Sequence, residues 1–122
     1  TFERGLTLRQ QMRRLGERVA AIAPGAQARA AMTVELELYA LTHETMRERL
    51  NLAHDEARRR SVEHIVETIG GDSLPTSPEA FVIILNALTG GILHQRFMNP
   101  NLVPDDLIVA AFEALAGPEP SA

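Results

Sequence analysis

Apolar residues recur at spacings of three and four along most of this chain, and they almost nowhere alternate over a useful length. The pattern predicts helices and no strand, so the expected fold class is all-α, with five helices. The first helix is predicted over residues 6–23, where an apolar stripe begins at Leu8. Pro24 and Gly25 are expected to end it, because proline cannot continue a helix and glycine accepts a turn.

The second and third helices differ in how polar their inward faces are. The second, over residues 27–42, is apolar on most of its circumference, and a helix of that kind normally lies in the middle of a domain. The third is expected to end at the glycine pair 70–71. Its inward line places His54 and Ser61 where a simple bundle would carry leucine.

The fourth helix has a well-formed start and an apolar surface. Ser77 is expected to cap it, with Pro78 at the first helical position, and the helix should run to about Met98. Because its surface is apolar nearly all round, it needs cover on two sides. A fifth helix follows from Pro104 and stops before Gly117.

Length and composition favour one ordinary globular domain. With 122 residues the chain has room for a single core, and we assign residues 1–116 to it and residues 117–122 to a flexible tail. The chain has no cysteine, which suits a reducing compartment, so a cytoplasmic location is expected. The apolar stretch 80–93 falls short of the ~20 residues of a membrane span, so no membrane partner is expected.

Charge and motifs argue against two functional classes. A net charge of -4 lacks the basic excess of a domain that binds nucleic acid by itself. The 4 histidines show no metal-binding spacing, and Ser73 lacks the glycine pattern of a nucleophile elbow. We therefore expect that this protein is not an enzyme and that it binds no metal and no cofactor.

A short segment near the C-terminus carries a family resemblance. Gly91, Gln95, Arg96 and Pro100 stand in an apolar helix that leads into a last helix. This arrangement resembles the C-terminal sensor and dimerisation half of TetR/AcrR-family transcription regulators. The resemblance implies transcription regulation, with repression expected, by a ligand-binding domain that forms a homodimer.

The same resemblance implies a second domain outside this sequence. The helix-turn-helix domain that reads DNA in that family has no counterpart here, so DNA is expected as a partner only through an N-terminal domain before Thr1. The chain starts at Thr1 without methionine, in keeping with this expectation.

Polar residues among flexible and aromatic apolar ones suggest a cavity for a small lipophilic effector between the first four helices. Each polar candidate has a plainer interpretation as a satisfied core residue, but several buried polar groups together favour a site. The predicted ligand-binding residues are Met12, Leu15, Met32, Leu36, Tyr39, Leu50, His54, Ser61, Phe81, Leu85 and Asn86.

The last two helices are predicted to form the dimer. Two helices from each chain would build an intermolecular four-helix bundle, with close approach at a glycine pair. The predicted interface residues are Leu88, Gly91, Ile92, Gln95, Leu107, Ala111 and Phe112. The alternative is a purely structural helical dimerisation module with a solid core and no ligand.

Overall fold

The computed structural model describes residues 3–118, and within this range the chain is all-helical, as predicted. It contains four α-helices rather than five: α1 (Leu8–Leu41), α2 (Glu44–Thr68), α3 (Pro78–Met98) and α4 (Asp105–Ala114), with a short 3-10 turn at Gly71–Ser73. The difference arises because the first two predicted helices are one.

The predicted helix end at Pro24 and Gly25 is wrong. Helix α1 runs through both residues and is 34 residues long. A proline inside a helix costs about 3 kcal/mol, but alanine, the best helix former, dominates the surrounding sequence. The helix contains alanines at positions 20, 21, 23, 26, 28, 30 and 31. Local propensity on both sides of Pro24 therefore outweighs one lost backbone hydrogen bond.

The other helix boundaries follow the sequence signals. Thr7 and Gln10 form a reciprocal capping box at the start of α1. The Ser77 hydroxyl accepts a hydrogen bond from the Ala80 amide at 3.2 Å, with Pro78 next in sequence. Gly70 has a φ of 87°, a left-handed conformation that lets the chain turn after α2.

The first half of α1 packs closely against α4. A Cβ atom added to Gly16 would lie 2.9 Å from the Val109 Cα and 3.3 Å from the Phe112 Cβ. At the other end of the contact, the Arg9 guanidinium lies 3.4 Å from the Glu113 carboxylate. Glu113 therefore lies near the start of α1 while Val109 lies further along it, so the two helices run antiparallel.

The core lies at one end of the molecule. The first turns of α3 and the last turns of α2 cover the remaining side of α1. Gln11 is also buried, and its side-chain amide hydrogen-bonds both backbone groups of Glu3, which holds the segment before α1 over the core. The core residues are Leu8, Met12, Val19, Ala20, Ile65, Phe81, Val82, Leu85, Val103, Ile108 and Phe112.

The second half of α1 lies outside this core. With the first part of α2 it forms a helical hairpin, which we call the arm (residues 24–61). Only Ala40 is buried in the arm. The expectation that residues 27–42 form a central helix is therefore wrong: within residues 3–118, the elements beside them are α2 and the end of α3.

We expect Gly16→Ala to lower the free energy of unfolding by about 1–3 kcal/mol, because the new methyl group would press on the Val109 backbone. Gly25→Ala is the matched control: a Cβ there meets nothing within 4 Å. That change should instead raise the stability by about 1 kcal/mol through helix propensity. Urea denaturation followed by circular dichroism measures both, and effects of equal sign would contradict the close contact.

Candidate functional site

An apolar groove lies between the arm and the end of α3. It has a volume of about 620 Å³ and is bounded by residues 26–37 of α1 and residues 90–98 of α3. The groove is open to solvent. It occupies the space into which the core would continue if the two helices stayed in contact.

Small residues on one wall and large ones on the other shape the groove. On α1 the wall carries Ala26, Ala30 and Ala31, whose short side chains do not reach across to α3. On α3 it carries Leu93 and Phe97 together with Gly90 and Met98. A side chain added at position 90 would enter open space, since a Cβ atom there meets nothing within 4 Å.

A few polar side chains lie along this apolar surface. Gln27, Arg29 and Glu37 project from α1, and His94 projects from α3. The Thr33 hydroxyl also lines the groove, but it donates to the backbone oxygen of Arg29 at 3.1 Å. A molecule bound here would therefore bury mainly apolar surface and find hydrogen-bonding groups at the edges.

The structure divides the predicted ligand-binding residues between the core and the surface, and none of them lines this groove. Met12, Phe81 and Leu85 belong to the core, and Leu15 packs against it. These apolar residues fill space inside the chain because their stripes face other helices. An apolar position that is predicted to face inward can belong to a packed core as well as to the wall of a cavity.

The polar candidates expected to point inward are at the surface. His54, Ser61 and Asn86 are exposed, and Leu50 is half-buried. The inward direction assumed for the middle of α2 is wrong, because residues 44–61 extend past the core and have few neighbours. Every fully buried side-chain nitrogen or oxygen in the described part of the chain has a hydrogen-bond partner, so none is left there to indicate a ligand.

Three further candidates, Met32, Leu36 and Tyr39, lie on the exposed side of α1 away from the groove. Their spacings of four and three put them on one helix face. The Tyr39 ring also stacks on His43, with ring centroids 3.6 Å apart and planes within 8°. Tyr39 therefore supports the turn between α1 and α2.

The predicted dimer residues divide between surface and interior. Gly91, Gln95 and Leu107 are exposed, whereas Phe112 has no exposed surface. Phe112 lies against Gly16 within its own chain, so it is unavailable to a partner, and that assignment is wrong. The remaining interface candidates, Leu88, Ile92 and Ala111, are half-buried.

The segment that carries the family resemblance forms a structural clasp. Arg96 donates a hydrogen bond to the Val103 backbone oxygen at 2.8 Å and lies 2.9 Å from an Asp105 carboxylate oxygen. One guanidinium thereby fixes the loop after α3 and the first turn of α4. Arg96, one of the residues that carry the resemblance, thus has an identifiable structural role.

Two further features concern metal binding and the apolar character of α3. In residues 3–118, no group of three or more histidine, aspartate or glutamate side chains is arranged to hold a metal ion. Helix α3 is long and apolar enough to cross a membrane by length and composition alone. Its buried residues, Phe81, Val82 and Leu85, lie in its first turns, and 17% of its apolar stretch is buried in this chain.

Comparison with known proteins gave no match: no family model, no curated protein and no solved structure matches this chain. The resemblance to TetR/AcrR regulators therefore stays a prediction.

Replacing Arg96 with methionine should lower the free energy of unfolding by about 1.5–3 kcal/mol, because it removes charged hydrogen bonds that hold the loop. The control is Arg60→Met, which removes an exposed pair with Glu56 and should change stability by less than about 0.5 kcal/mol. Thermal and urea denaturation give both values. A loss at Arg96 no larger than that at Arg60 would contradict the clasp.

Proposed function

We propose that this chain is a regulatory domain that binds a small, mostly apolar molecule in the groove between the arm and α3, and that it works as a homodimer. The observation that carries the proposal is the groove itself, at about 620 Å³. Ligand sites generally measure ~300–1,000 Å³ and combine apolar walls with a few polar groups.

The place of the groove suggests how a ligand would act. Its two walls belong to α1 and α3, which touch in the core and separate in the arm. The distance between these two helices defines the conformation of the groove. A ligand that binds one such conformation more tightly than another shifts the population toward the conformation that it binds more tightly. Because α1 continues into the core, the shift reaches its first half and α4.

The family resemblance extends this proposal to DNA. A DNA-reading domain before Thr1 would join the chain at the segment that Gln11 holds over the core. A change in α1 would then alter the spacing of two such domains in a dimer. The chain by itself, with a net charge of -4, would not supply the phosphate contacts.

The second candidate function is a purely structural dimerisation module without a ligand. Exposed apolar residues on the arm favour it, among them Leu38 and Leu41, at 60% and 66% exposure. Thermal denaturation with a panel of lipophilic compounds separates the two functions. A ligand-binding domain gains stability with ligand concentration, and a structural module does not.

The groove itself is tested with the fluorescent probe 8-anilinonaphthalene-1-sulfonate, which is apolar and carries one anionic group. Gly90→Leu should weaken probe binding about tenfold, equivalent to ~1.4 kcal/mol, because the new side chain fills the groove. Fluorescence titration at fixed protein concentration measures the Kd.

Gly91→Leu is the matched control for this experiment. It makes the same change one position along the same helix, where a Cβ also meets nothing within 4 Å, but residue 91 does not line the groove. Its Kd for the probe should stay within about twofold of the wild-type value, because the new side chain lies outside the groove. Both variants gain the same helix propensity, so a general change in helix stability affects them equally. Equal weakening by both variants, or by neither, would reject the groove as the site.

A further inference from the structure

The chain exposes more surface than a compact protein of its mass. Its accessible area is 8335 Å², whereas a folded monomer of 13.4 kDa exposes ~6,500 Å². The difference, 8335 less ~6,500, is about 1,800 Å². A standard protein–protein interface covers ~800 Å² on each partner, so the excess is large enough for an extensive one.

Much of this uncovered surface is apolar and belongs to the second half of α1. Met32, Leu36 and Tyr39 form a stripe on the side away from the groove, with exposures of 72%, 42% and 50%. A contiguous exposed apolar patch of this kind on a soluble protein marks an interaction site.

We infer that a second copy of this chain covers the Met32–Leu36–Tyr39 stripe, so that the two arms pair through α1 in an antiparallel, two-fold contact. The inference deepens the self-association in the proposed function and assigns it to the arm instead of to α3 and α4.

A second copy fits because the stripe can pair with itself. In a two-fold antiparallel contact the middle of the stripe meets its own equivalent, which places Leu36 nearest the axis, and Met32 of each copy approaches Tyr39 of the other. Apolar side chains then meet apolar side chains along the whole contact. The inner surface of α4, by contrast, is already occupied: Ile108 and Phe112 have no exposed area left for a partner.

The pairing also links the two functions of the arm. Ligand and partner would lie on opposite sides of the same helix, because the groove lines one face of residues 26–37 and the stripe forms the other. A ligand that favours one position of this helix would therefore change the dimer's stability, and dimerisation would change ligand affinity by the same factor.

Cysteine cross-linking tests the register of the contact, since the natural chain contains no cysteine. Leu36→Cys should form a disulfide-linked dimer under mild oxidation, because residues at the axis approach within the ~4.4–6.8 Å that a disulfide needs between Cα atoms. Two controls carry the cysteine on other exposed leucines: Leu52→Cys on α2 and Leu107→Cys on α4. Both should stay monomeric on a non-reducing gel.

Sedimentation tests the energetic side of the same inference. Leu36→Glu should raise the dimer dissociation constant at least about a hundredfold, equivalent to ~2.7 kcal/mol, by placing two carboxylates together at the axis. Glutamate and leucine have similar helix propensity, so circular dichroism should show the fold unchanged. Leu107→Glu is the control and should leave dissociation unaffected.

Three results would overturn the inference. They are a wild-type chain that sediments as a monomer at micromolar concentration, cross-linking through Leu107→Cys in place of Leu36→Cys, and dissociation by Leu107→Glu in place of Leu36→Glu. The last two would assign the dimer to α4, as the sequence predicts. The tests of the dimer contact and of the ligand site are independent. Gly90→Leu should leave sedimentation unchanged, and Leu36→Glu should still bind the fluorescent probe.

Discussion

Helix α4 can lie against α1 because residue 16 has no side chain. With the Val109 Cα only 2.9 Å from where a Cβ would be, the two backbones approach closely enough to bury Ile108 and Phe112 completely. The ion pairs of Glu113 with Arg9 and Arg13 lie at the edge of this contact and contribute little, since partly exposed pairs are worth ~0–1 kcal/mol. Packing at Gly16 therefore sets the position of α4, and the Arg96 clasp then fixes the loop that leads to it.

Helix α1 takes part in two different environments. Its first half is an ordinary core element, in contact with α2, α3 and α4. Its second half has apolar residues on both sides but only one continuous neighbour, α2. This imbalance produces both the groove and the exposed stripe, and it is the reason that the proposed ligand and the proposed partner share one element.

The sequence predicted local structure better than the arrangement of helices. Ser77 acts through its hydroxyl on the adjacent turn, and Pro78 and Gly70 act through their own backbone angles, so these local signals are sufficient to mark a helix start and a helix end. Pro24 failed as a stop signal because its cost is local, whereas the helical preference of the alanine-rich sequence extends over several turns. The all-α class follows from apolar spacing alone, but the number of helices depends on this balance.

The candidate groove could not be predicted from the spacing of apolar residues. Apolar periodicity shows which residues share a face of a helix, and it does not show whether that face meets a neighbour. Phe81 and Leu38 have equally apolar surroundings in the sequence, yet one is buried and the other is exposed. Part of the groove is lined by alanines and Gly90, whose small size matters only because α1 and α3 diverge there.

The proline inside α1 has a mechanical consequence. Pro24 has no amide hydrogen, so the Ala20 carbonyl lacks its usual partner and the helix resists bending least at this point. From Pro24 to Leu41 the helix extends ~27 Å at 1.5 Å per residue. A bend of ~10° at the proline would therefore displace the far end by about 5 Å, close to one helical turn. A small change of angle at residue 24, at the edge of the core, would in this way become a large displacement at the turn held by Tyr39 and His43.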